Sequence, residues 1–269
     1  MFSKNDLIDQ IKVMGITPSD TVLIHTSMRA VGEVENGADG VIDAFRDYLT
    51  DGLFLVPTHT WANVSREQPV YDVRSTVPCI GALPRAAAFR ADGVRSLHPT
   101  HSIWATGKGA AEYIKNEENA PTPGTPGYAW DRLAEVGAKI LLIGVGNDKN
   151  TFIHAVEEVA DIPDRLHPEP FEVTIYDRDG NIYRHPYVGH YCSRSNDVSR
   201  QFVNFEKPLT ELGAQQFGKL GNAVVRIVDA RMCRDIILKI YSRTEADLCI
   251  EFMDIPEELY RDSVDVAQR

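Results

Sequence analysis

Short aliphatic and β-branched runs alternate with amphipathic stretches through the first half of the chain. TVLIHTS (Thr21 to Ser27) predicts a strand, MRAVGEVENGADG a polar loop, VIDAFRDYLTDG a helix ended by Gly52, and LFLVPT (Leu53 to Thr58) a second strand. Strand, loop, helix, strand is the opening of an α/β sheet. Periodicity then disappears between His59 and Pro78, where polar, aromatic and proline residues mix, so this stretch reads as a long loop at a functional site. Helices are expected from Gly81 to Ala91, with Pro84 in the first turn, from Gly109 to Glu118, and over AWDRLAEVG, closed by Gly137 after the turn-rich APTPGTPGY.

AKILLIGVG (Ala138 to Gly146) is the strongest buried-strand signal, and the helix after it begins near Thr151 and stops at the Ile162-Pro163 junction. FEVTIYDRDGNIYRHPYVGHY predicts a hairpin turning at Asp179-Gly180, expected to add antiparallel strands to the earlier sheet. The last third carries two or three helices, one around Asp229 to Tyr241, and the chain starts with an amphipathic helix, N-cap Ser3, with Asp6 at N3. Without repeats, low-complexity tracts or a linker, residues 1–269 are expected to form one α/β unit with a mixed central sheet flanked by helices.

Composition narrows the partners. The 28 lysines and arginines against 39 acids, net −11, argue against a nucleic-acid surface and favour cationic or neutral small molecules, although an acidic surface also serves plain solubility. Cys79, Cys192, Cys233 and Cys249 are too scattered for a disulfide framework, and no run approaches the ~20 apolar residues that span a bilayer. A cytoplasmic protein with reduced thiols and no membrane partner is expected.

Two segments carry the candidate chemistry. His154, Glu157, Glu158 and Asp161 follow i, i+3, i+4, i+7 and share one helix face. A carboxylate there can hold one imidazole nitrogen while the other faces a substrate; an ordinary solvated face has the same spacing. The first helical residues lie at the carboxyl end of the most apolar strand, where open α/β sheets place ligands. The loop Thr26 to Gly32, after the first strand, offers backbone donors and Arg29 to a phosphate, without a Walker A or dinucleotide fingerprint; GVGNDKNT is no fingerprint either. His98 and His101 form an H-x-x-H pair. His25, His59, His167, His185 and His190 show no companion spacing, so no metal is expected, and a zinc hydrolase stands as an alternative. Ser102 lacks the elbow of a hydrolase nucleophile.

Taken together, LIHTSMRAVG, YDVRSTVPCIGALP, RSLHPTHSIWATG, TPGTPGYAWDRL and LLIGVGNDKNTFIHAVEEVADIP, in this order from Leu23 to Pro163, resemble the aminoglycoside 3-N-acetyltransferases, a family distinct from the GNAT acetyltransferases. GHYCSRSNDVSRQF is similar to a later family segment, whereas Arg85 stands where relatives often carry an acid. The resemblance implies transfer of acetyl from acetyl-coenzyme A to an amine, the 3-amino group of an aminoglycoside, by direct attack in a ternary complex. It implies His154 as base with Glu157 in support, and coenzyme A contacts from Ser27, Met28, Arg29, Ala30, Val31 and Ser102. A polycationic acceptor would look for carboxylates, with Asp72, Glu158 and Asp161 as candidates; a non-antibiotic amine is the alternative acceptor, and a homodimer is compatible with the resemblance.

Overall fold

The structure is a computed structural model and describes residues 1–262; residues 263–269 of the expected domain lie outside the described residues. Its strands are β1 Thr21–Thr26, β2 Leu53–Pro57, β3 Val70–Asp72, β4 Val94–Arg95, β5 Ile103–Gly107, β6 Lys139–Ile143, β7 Phe171–Tyr176, β8 Ile182–Tyr187, β9 Gln215–Leu220 and β10 Ala223–Asp229. The helices are α1 Lys4–Val13, α2 Met28–Val31, α3 Gly37–Tyr48, α4 Ala82–Ala87, α5 Ala110–Tyr113, α6 Ala129–Glu135, α7 Phe152–Val159, α8 Glu206–Glu211, α9 Ala230–Tyr241 and α10 Glu257–Tyr260.

Seven strands form one mixed sheet in the order β4-β5-β2-β1-β6-β10-β9. β2, β1 and β6 run parallel; β5 and β10 flank them antiparallel. Alternate residues of these strands feed two apolar layers. Leu23, Leu55, Ile140 and Leu142 face α6, α7 and α9, whereas Val22, Ile24, Phe54 and Ile143 face α1 and α3. Because helices cover both faces, the central strands need apolar side chains throughout, which is why AKILLIGVG reads as an unbroken run. Ser3 caps α1 in a capping box with Asp6, as the sequence predicts, and Asp229 caps α9.

Three expectations need correction. The Asp179-Gly180 hairpin forms, but β7 and β8 join β3 in a separate three-stranded sheet, so the antiparallel strands of the main sheet are other ones. β3 lies inside the stretch expected to be structureless; Tyr71 is buried there, with its hydroxyl donating to the Ser96 carbonyl, a tertiary contact that overrides weak local periodicity. The helices expected over 81–91, 109–118 and up to 162 are shorter. At Asp161 the chain takes a positive φ of 52°, which ends helical continuation before the proline does.

β1 hydrogen-bonds to β2 on one side and β6 on the other, so the crossovers leave in opposite directions and a crevice opens beyond the carboxyl ends of β1 and β6. Gly144, at φ +68°, closes its floor: a Cβ there would sit 2.3 Å from the Ala30 Cβ. Gly144→Ala is expected to destabilise the fold by about 1–3 kcal/mol, through backbone strain and overpacking. Adding Ala30→Gly should return part of that loss; an unchanged denaturation midpoint in Gly144→Ala would contradict the close approach.

Candidate active site

The crevice widens into a cleft of about 900 Å³. Ile24 to Ser27, Pro57 and Val145 line its floor from the strand ends, Asp148 to Thr151 and His154 one side, and Phe171, Tyr187 and 189–192 with 195–199 the facing wall. The most apolar strand therefore delivers the candidate histidine to the ligand end of the sheet.

α7 divides its residues cleanly. Phe152, Ile153, Ala155 and Val156 enter the apolar layer, His154 lines the cleft, and Glu157 is buried without reaching the cleft lining. His154 Nδ1 lies 3.2 Å from Glu157 Oε2, and the imidazole is braced by the rings of Phe202 and His190. With Nδ1 bonded to a carboxylate, Nε2 is the nitrogen left for a reacting group. Glu157 is 1% exposed, and burial alone would raise its pKa. Its hydrogen bonds and charge contacts with His154 and Arg165 outweigh that and hold it below the usual carboxylate range.

Six of the eight histidines gather here, although their spacing in sequence shows nothing of it. The His154 and His190 rings are 4.1 Å apart, His190 and His101 5.1 Å, and His101 and His59 4.6 Å. His25 and His59 flank Trp130, whose indole donates to the His101 carbonyl at 2.9 Å. Burial pushes His25 down to about 3 and His98 and His190 to about 4, and takes His59 and His101 well below their ordinary value. The H-x-x-H pair is a structural turn. His98 Nδ1 accepts the His101 amide at 2.9 Å and His98 Nε2 donates to the Thr122 carbonyl at 3.1 Å, so both nitrogens a zinc ligand set would need are already engaged. No group of three or more histidine, cysteine or acidic side chains among the described residues is disposed to hold a metal.

Of the other candidates, Ser27 reaches the cleft and caps α2 by accepting the Ala30 amide at 3.3 Å. Arg29 is exposed, Met28 packs against the core, Ala30 abuts Gly144, and Val31 is fully buried. Ser102 does not line the cleft: its hydroxyl donates to the Thr58 carbonyl at 2.8 Å and accepts from Arg95, fastening β5 to β2. The expected acceptor acids are also elsewhere. Asp72 pairs with Arg74. Glu158 takes the Gly124 amide at 2.7 Å and the Thr122 hydroxyl, gripping the TPGTPGY turn against α7. Asp161 is exposed just past the helix end, outside the cleft lining. The carboxylates that do line the cleft are Asp148, Glu169 and Asp197. Arg165 and His190 were missed as well, because each acts through partners distant in sequence.

A family model described as aminoglycoside 3-N-acetyltransferase matches residues 23–242. The chain belongs to this family. It is 31% identical to aminoglycoside N(3)-acetyltransferase IV of a Salmonella species over 257 residues, covering 94% of this chain and 91% of that one. Aminoglycoside acetyltransferase AAC(3)-IVa, solved as a histidine-to-alanine mutant with gentamicin, superposes with a TM-score of 0.75 at 27% identity, covering 94% of this chain and 98% of that one. AAC-IIIb, solved as a binary complex with CoASH, shares the fold at a TM-score of 0.75 and 21% identity, covering 87% of this chain and 94% of that one. The acetyltransferase family thus extends through the C-terminal third, beyond the Leu23 to Pro163 motifs.

The neutral histidines of this acetyltransferase-family fold make its stability pH-dependent. Each has a folded pKa below its unfolded one, so the unfolded chain binds more protons as pH falls through the unfolded value near 6.5. Stability is intact above that pH and is lost toward pH 4, at up to ~1.4 kcal/mol per pH unit for each buried histidine. Melting temperature should drop steeply between pH 7 and pH 5, and His59→Asn should flatten the drop; an unchanged melting temperature would show that the cluster is not held neutral.

Proposed function

We propose that the chain transfers acetyl from acetyl-coenzyme A directly to an amine of an aminoglycoside, at the 3-amino position, with both substrates bound together. The observation that carries this reading is His154 at the cleft surface with Nδ1 on the buried Glu157. An ammonium group cannot attack a thioester, and a base beside it is the first requirement. Nε2 of His154 takes the proton as the amine nitrogen bonds to the thioester carbon, Glu157 stabilises the imidazolium, the C–S bond breaks, and the departing coenzyme A thiolate takes that proton from the imidazolium, restoring the neutral base. Ser27 and Arg29, at the start of α2, would meet the phosphate-bearing part of the cofactor, whereas Val31 is buried and could only support them. The CoASH complex of AAC-IIIb and the gentamicin complex of AAC(3)-IVa support the two substrates.

A second reading keeps the chemistry and changes the acceptor to an amine of lower charge. Each cleft carboxylate lies beside a cation of the chain: Asp148 3.0 Å from Lys149, Asp197 3.4 Å from Arg200 and Glu169 4.0 Å from Arg66. Trp61, Phe171 and Tyr191 add aromatic lining. Turnover on aminoglycosides set against simple aromatic and aliphatic amines decides between the acceptors.

His154→Ala and His154→Asn should keep the fold and coenzyme A affinity yet lose ~10²-fold or more in turnover, with a smaller loss in Glu157→Gln. Without acceptor there should be no burst of free coenzyme A. Parental turnover in His154→Ala sinks the mechanism, and a burst points to an acyl-enzyme. For Arg29→Ala, calorimetry should show weakened coenzyme A binding and unaltered acceptor binding; unchanged cofactor affinity would remove Arg29 from that role.

A further inference from the structure

Glu157 gives one oxygen to His154 and the other to an arginine that arrives after the helix has ended. The backbone takes positive φ at Asp161 (52°) and Asp164 (62°), and this reversal returns Arg165 under α7, where its Nε donates to Glu157 Oε1 at 2.7 Å. The guanidinium side chain is 3% exposed. Its far edge forks onto Asp247, with Nη1 donating to Oδ2 at 3.1 Å and Nη2 to Oδ1 at 2.5 Å. Arg194, between the two stretches that wall the cleft, reaches the same Asp247. The Arg165 carbonyl accepts the Tyr191 amide at 3.0 Å, and Asp164 accepts the Ser193 amide and hydroxyl.

We propose that Arg165 is the positioning residue of the acetyl-transfer site: it pins the second oxygen of Glu157 so that the first meets His154 Nδ1, and it ties that carboxylate to the segment walling the cleft. This rests on His154 being the base. One hydrogen bond leaves a carboxylate free to turn about its terminal torsion; a second, from the opposite edge, fixes its plane and with it the imidazole. A guanidinium suits the place because it bonds Glu157 with one edge and Asp247 with the other, which an ammonium cannot do.

Removing Arg165 should also alter the pH dependence of turnover. The ionisable groups around His154 are Glu157 on its own helix, His190 stacked on it from the wall with Glu158 behind, and His101 and His59 further across the cleft. Among these, only Glu157 is bonded to Arg165. Without the arginine, buried Glu157 loses its fixed cation and shares a proton with its remaining partner more readily, so the acid limb of turnover, which the two residues set together, moves to higher pH.

The test compares the parent with Arg165→Met, Arg165→Lys, Glu157→Gln and the Glu157→Gln/Arg165→Met double variant, using acetyl-coenzyme A and an accepted amine. Arg165→Met should lower kcat ~10-fold or more, leave KM for acetyl-coenzyme A within about twofold, and move the acid limb of the kcat profile up by about one pH unit. Arg165→Lys should recover part of kcat. If Arg165 acts through Glu157, the double variant should match Glu157→Gln alone within about twofold. Parental kcat and acid limb in Arg165→Met, or a double variant slower than Glu157→Gln by the full single-variant factor, overturns the proposal. Should Arg165→Met not fold, the double variant, which leaves no unpaired charge at Glu157, makes the comparison. Full turnover in His154→Ala would instead remove the base reading, independently of any Arg165 result.

Discussion

A carboxylate buried to 1% exposure stays ionised only if donors and cations replace its lost water, and the cleft is arranged around meeting that demand for Glu157. His154 takes one oxygen and Arg165 the other. Because Arg165 is itself buried, it needs Asp247, and Asp247 in turn holds Arg194, between the two stretches that wall the cleft. The chain of charges runs from the end of α7 to residues after α9, so the C-terminal third, which contributes little to the floor of the cleft, is linked to the carboxylate that holds the proposed base.

The surrounding histidines answer the same dielectric with the opposite state. His25 and His59 stack on Trp130 and His101 packs against His59, so all three lack the water that a charged imidazole needs and stay neutral. His190 comes within 3.4 Å of Glu158 without an aligned hydrogen bond, and burial still lowers it. His154 differs from its neighbours in having a buried carboxylate on Nδ1 and a cleft-facing surface. That difference, rather than the presence of histidine, is why we propose it as the base.

Local pattern carried the central strands and α7, because strands covered on both faces and a helix with one apolar side leave plain signatures at periods of two and 3.6. The pairing of His154 with Glu157 was legible for the same reason, being an i, i+3 contact. Contacts between distant segments were not. Nothing near Arg165 in DIPDRLHP points to Asp247, 82 residues on, and the six clustered histidines come from five separate segments. Ser102 illustrates the converse: HPTHS stood out as a motif, but its serine is spent holding β5 to β2. The hairpin was recognisable from Asp-Gly, whereas its partner strand β3 depended on a tertiary contact that no turn rule encodes.

The account turns on which nitrogen of His154 carries the proton when the ring is neutral. Nitrogen-15 NMR of the imidazole side chains, with His154 assigned by its loss in His154→Asn, reads this directly in the resting enzyme above the pH at which the ring becomes charged. A protonated Nδ1 and an unprotonated Nε2 are the expected result, since Glu157 accepts from Nδ1 and leaves the Nε2 lone pair toward the cleft. A protonated Nε2 in the neutral ring would contradict the account, because the nitrogen facing the amine would then have no lone pair with which to take its proton.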